Sequence, residues 1–123
     1  MLVNDVGRKT FALPSHPKLS IGTGNINLLQ AVKAAIGLGG DANWGMTDAN
    51  DVPNDIYAKR GFLFKTKGDN SGTVYIGTSA VNSAGDYGMP LAAGESLFIE
   101  VTQASTFYLA ATASSQVVYF LAI

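Results

Sequence analysis

Apolar residues recur at every second position through the half of the chain that runs from Gly61 to Ile123. Nothing else in the sequence restricts the fold as much. The runs Gly61–Lys67, Thr73–Ser79, Glu95–Thr102, Thr106–Ala113 and Gln116–Ile123 are rich in Val, Ile, Phe, Tyr and Thr. A period of two places successive side chains on opposite faces of an extended backbone, so these runs read as strands. One face is expected to carry Val74 and Ile76, then Leu97, Ile99 and Val101, then Phe107, Leu109 and Ala111, and finally Val117, Tyr119, Leu121 and Ile123. The opposite face then receives Phe98, Glu100 and Tyr108, together with Val118 and Phe120. That leaves the last strand apolar on both sides.

The residues between the runs are those that turns demand. Asp69-Asn70-Ser71-Gly72 supplies side chains that fold onto local backbone and a residue free to take positive φ, which suits a hairpin. Asn82 to Gly88 reads as a polar loop. Met89-Pro90-Leu91 reads as an extended proline lead-in, with a turn at Gly94 before the next strand. Gln103-Ala104-Ser105 and Ala113-Ser114-Ser115 complete the set. Turns at ~8–12-residue spacing point to a mainly β fold, an antiparallel sandwich of jelly-roll or immunoglobulin-like topology.

Before Gly61 the signal changes character. Residues 1–25 form a segment with two possible short strands, Arg8–Pro14 and Lys18–Gly22, and with Pro14 and Pro17 close together. Prolines at that density suit an edge strand or an arm reaching a neighbouring subunit. Residues 26–123 are then one sandwich domain that opens with a short α-helix near 26–36. In that helix Leu28, Leu29, Val32, Ala35 and Ile36 form one stripe, Asn25 or Asn27 can cap the start, and Gly37 suits the end. At roughly three turns it must dock its stripe on something else.

Size and charge narrow the range of activities. A chain of 123 residues supports one core. It is 47% hydrophobic and 14% charged, against roughly 25% charged for an average soluble domain. So little surface charge favours an exterior that other protein covers. Eight basic and nine acidic residues, in no block, give a net charge of −1. No basic patch is available to neutralise a phosphate backbone, so nucleic acid is not an expected ligand. Met1–Asp5 lacks a basic and apolar leader pattern, so cytoplasmic synthesis is the default expectation. No apolar run reaches ~18 residues, and no membrane helix is expected.

Catalytic and metal-binding readings find few residues to use. The sequence has no cysteine and one histidine, His16, set between Ser15 and Pro17. Nucleophilic catalysis and transition-metal sites usually need more than that. Gly37–Gly45 lacks both the dinucleotide glycine spacing and a P-loop lysine. Asp48–Asp55 is rich in oxygen ligands, but it has neither the glycine nor the glutamate of a calcium-binding loop, so turn chemistry explains it better. Asp86, Glu95 and Glu100 sit where solvation alone would place a charge. No enzyme activity, cofactor or metal is expected.

What remains is adhesion. Phe11, Leu13, Leu19 and Ile21 of the first segment, with Phe98, Tyr108, Val118 and Phe120 of the strands, are the candidate interface residues. Aromatic groups with little lysine are the composition that interface centres prefer.

Thr73-Val74-Tyr75-Ile76-Gly77, Pro90-Leu91-Ala92-Ala93-Gly94-Glu95 and Tyr108-Leu109-Ala110-Ala111 resemble the small β domains of tailed-phage structural proteins, above all head decoration or cement proteins. The likeness covers Gly72–Ile123 and leaves the first 60 residues unmatched. It implies a virion protein on the capsid surface, often a trimer, that clamps neighbouring major capsid subunits. An alternative is a tail- or fibre-associated carbohydrate module in which Trp44, Tyr57, Tyr75 or Tyr87 stacks on sugar. A small cupin-like enzyme is a third reading, which the scarcity of histidine opposes.

Overall fold

The structure, a computed structural model, describes residues 18–37 and 54–123. Phe11, Leu13, His16, the glycine-rich stretch after the helix, Trp44 and most of the Asp48–Asp55 segment lie outside the described residues.

Two antiparallel four-stranded sheets pack face to face. The strands are β1 (Lys18–Ile21), β2 (Ile26–Asn27), β3 (Phe62–Thr66), β4 (Val74–Gly77), β5 (Gly88–Leu91), β6 (Ser96–Ile99), β7 (Tyr108–Ala111) and β8 (Gln116–Ala122). One sheet runs β1-β8-β3-β6 and the other β2-β7-β4-β5. First pairs with last, second with seventh, third with sixth and fourth with fifth. That nested order is how a rolled-up long hairpin pairs. An immunoglobulin order would instead put the first, second, fourth and fifth strands together.

Because each sheet has one face inward, the period of two becomes a layer of core. Leu19, Ile21, Phe62, Phe64, Val118 and Phe120 come from one sheet; Val74, Ile76, Leu91, Leu109 and Ala111 come from the other. Four phenylalanines form its centre. Phe107 meets Phe62 and Phe64 edge-on, with centroids 5.4 and 5.0 Å away. Phe120 lies 6.4 Å from Phe62 and 6.5 Å from Phe64. Edge-to-face and tilted rings at these separations add to what their burial contributes.

The phase expected for the last strand is reversed. Val118 and Phe120 point into the core, and Val117, Tyr119 and Leu121 point out. The reason is pairing: Phe120 lies across from Phe64 and Val118 across from Leu19, so all of them must share the inner face. The hairpin expected at Asp69–Gly72 is also corrected. β3 and β4 belong to different sheets, and this turn crosses between them. Its Asn70 acts as a surrogate strand residue: the side-chain amide donates to the Val117 carbonyl and accepts from the Val117 N–H, both at 2.9 Å. Gln116, only 3% exposed, holds the same end. It accepts from the Gly72 N–H and donates to Ser71 and to the Ser114 carbonyl.

The helix α1 (Leu28–Gly37) starts two residues later than expected, because Ile26 and Asn27 pair with β7 first. The Asn27 carboxamide oxygen then accepts the Leu29 N–H at 3.0 Å, which is an N-cap. Leu28, Leu29, Ala31 and Val32 are buried. They dock against β1, β2 and a 3-10 turn at Ala104–Thr106, closing the β1–β2 side of the sandwich. Pro90 did not exclude a strand at β5, because β5 is an edge strand, where a missing N–H costs no ladder bond.

Candidate protein-interaction site

The outer face of the β1-β8-β3-β6 sheet carries a row of adjacent apolar side chains. Register sets its layout. Phe98, Leu63 and Leu121 lie side by side on β6, β3 and β8. The neighbouring row is Ser96, Lys65, Tyr119 and Lys18. At the opposite end Gly61 and Ile123 bond to each other through both backbone groups.

Leu63, Lys65, Tyr119 and Leu121, with Phe120 beneath, line an open groove of about 420 Å³. Phe98 is 39% exposed and Ile123 44% exposed. Leu63 and Phe98 face each other as a pair without mutual backbone bonds, the arrangement that brings cross-strand side chains closest. Gly61 makes room for this packing, since a Cβ there would meet the Ile99 carbonyl oxygen and come within 2.8 Å of the Phe98 ring. Lys65 donates to the Gly94 carbonyl at 2.9 Å, which ties one wall of the groove to the turn before β6. Gly94 takes φ +81° in that turn, a conformation that suits glycine.

The structure redistributes the interface candidates. Phe98 is on the surface described above. Tyr108 is half-buried on the outer face of the other sheet, across from Asn27 and Gly77, so it does not share a surface with Phe98. Leu19, Ile21, Val118 and Phe120 are corrected to core: each is at most 1% exposed and offers nothing to a partner. Leu63, Tyr119, Leu121 and Ile123 take their place. One signal in the sequence favoured that choice. Tyr119 carries a hydroxyl that water or a partner must satisfy, and Phe120 does not, which favours Phe120 inside.

The polar candidates resolve into turn chemistry. The Asp55 carboxylate accepts from the N–H groups of Ile56 and Ser105 and from the Ser105 hydroxyl. Glu95 accepts from the Ala92 N–H, and Asp86 accepts from the Asn82 amide. No three His, Asp or Glu side chains converge on a common point among the described residues.

Of the tyrosines in the sugar-binding alternative, Tyr57 stands apart, while Tyr75 and Tyr87 both lie at the β4–β5 loop. Tyr57 bridges to Gln103, Tyr75 lies under Gly85 of the β4–β5 loop, and Tyr87 projects from that loop, 77% exposed. No described helix is long and apolar enough to cross a membrane. No protein family, curated protein or solved structure matches the chain.

Proposed function

We propose that the domain is a structural binding module that seats the outer face of its β1-β8-β3-β6 sheet on other protein subunits. In this reading it is a decoration protein on the capsid surface of a tailed phage, with the major capsid protein as its partner. The nested strand order is read as a jelly roll, a scaffold that viral capsid domains use. The observation that carries the proposal is the Phe98–Leu63–Leu121 row with its groove, a contiguous apolar surface on a protein of low charge. Surfaces of that kind mark sites of protein association. The role is structural, since a ligand that binds only the assembled lattice stabilises that lattice by mass action.

The test is co-sedimentation of the full chain with purified capsid shells of the virus that encodes it. Wild type is expected to bind in fixed stoichiometry and to raise the melting temperature of the shell. Leu121→Lys should fold like wild type and stay in the supernatant. Failure of the wild-type chain to bind shells would overturn the reading.

A further inference from the structure

The sandwich has two long sides, and they are finished differently. On the β1–β2 side α1 lies against both edge strands, and β2 is only two residues long. On the opposite side β5 contains Pro90, which cannot donate to a partner strand. Short length, proline and a covering helix are the means by which proteins blunt exposed sheet edges. β6, four residues long, is short as well, but among the described residues it has neither the proline nor the covering helix. Its run Ser96-Leu97-Phe98-Ile99 contains no proline and no charge.

Hydrogen bonding shows which backbone groups β6 leaves open. The Thr66 N–H donates to the Glu95 carbonyl at 3.0 Å. Antiparallel pairs alternate between bonded and non-bonded, so Leu97 and Ile99 also bond to β3, while Ser96 and Phe98 turn their N–H and C=O outward. Among the described residues nothing bonds to those outward groups. The core is incomplete at the same place. Leu97 and Ile99 point inward yet are only half-buried, whereas Phe62, Phe64, Val118 and Phe120 on the strands beside them are at most 1% exposed.

We infer that β6 is a self-pairing edge, and that its occupant is β6 of a second copy, antiparallel, with the two-fold axis at Phe98. The register follows from the residues. Centring on Phe98 sets Ser96 across from Glu100 of the partner, and Leu97 across from Ile99 of the partner on the inner face. It separates the two Glu100 carboxylates, which a register centred on Glu100 would oppose. Along the outer face, Leu121, Leu63 and Phe98 continue into the same residues of the second copy. The basic row of Lys65 and Lys18 in one copy then extends toward Glu100 of the other. The two four-stranded sheets become one continuous sheet, and the half-buried Leu97 and Ile99 are covered.

Sedimentation velocity and amide hydrogen exchange on the full chain test this together, at roughly 100 µM, where small interfaces associate. A dimer is expected, with the Ser96 and Phe98 amides protected at least tenfold more than after dilution to monomer. Phe98→Lys is expected to be a folded monomer. Should that variant fail to fold, the exchange measurement on wild type decides alone. A monomer, a trimer, or a dimer with unprotected Phe98 and Ser96 amides would each overturn the inference. It is separable from capsid binding: a dimer that ignores shells refutes only the proposed function, and a shell-binding chain without this dimer refutes only the edge pairing.

Discussion

Replacing Phe120 by alanine, and separately Leu121 by alanine, sets adjacent positions of one strand against each other. Phe120 is 1% exposed and packs against Phe62 and Phe64 in the centre of the core. Truncating a buried phenylalanine costs about 3–5 kcal/mol, because the lost transfer energy is joined by a cavity that the neighbours fill only in part. Leu121 lies half-buried on the outer face, so its truncation removes little area from the dry interior and costs about 1 kcal/mol or less. Unfolding entropy near 2.1 cal/mol/K per residue gives about 0.26 kcal/mol/K for a chain of this length. Phe120→Ala should therefore lower Tm by about 12–19 °C and Leu121→Ala by about 4 °C or less. Calorimetry gives these shifts, and urea titration with an unchanged m-value checks that both variants unfold the same way. Equal losses, or a larger loss at Leu121, would mean that the strand phase is inverted and that the interaction surface has been placed on the wrong face.

Two further changes probe the ends of the sheet. Gln116→Leu removes three hydrogen bonds to Gly72, Ser71 and Ser114; at about 0.5–1.5 kcal/mol each, less the gain from an apolar side chain, a loss of about 2–3 kcal/mol is expected in chemical denaturation. A loss below about 0.5 kcal/mol would show that the network contributes nothing. Gly61→Ala drives a methyl group toward the Ile99 carbonyl and the Phe98 ring and should cost about 1–3 kcal/mol. Gly22→Ala, with nothing within 4 Å of its added methyl, is the control and should stay within about 0.5 kcal/mol of wild type.

Strands whose polar residue faces outward were legible in phase, and the strand whose polar residue is buried was not. In β3 Lys65 identifies the outer face, and in β6 Ser96 does so. In β8 the polar Gln116 is buried on the same face as Val118 and Phe120, and the residues after it carry no charge, so the pattern of two points to the wrong face. Beyond the hint of the Tyr119 hydroxyl, pairing with Phe64 and Leu19 decides which set faces inward, and those contacts join residues far apart in the chain. Turns were recognisable by composition, but their destination was not. Asp69–Gly72 has hairpin chemistry, yet the strands it joins belong to different layers. The helix stripe was readable from its spacing. Its start was less so, because Ile26 and Asn27 are taken by β7 before the helix begins. The surface row of Phe98, Leu63 and Leu121 exists only through register, which no local window contains.

The placement of β8 has a consequence for how the molecule is made. β8 lies between β1 and β3, so no part of that sheet beyond the β3–β6 pair can close until the last strand has emerged from the ribosome. At about 5–20 residues per second, the inner faces of Leu19, Ile21, Phe62 and Phe64 wait roughly 3–12 s after β3 is synthesised. During that interval the nascent chain presents greasy, unpaired segments to its neighbours on the same message. Pairing over such sequence separations is also slow, in the millisecond-to-second range. Slowing elongation across residues 100–116 lengthens the interval before β8 arrives and should shift the product toward aggregates.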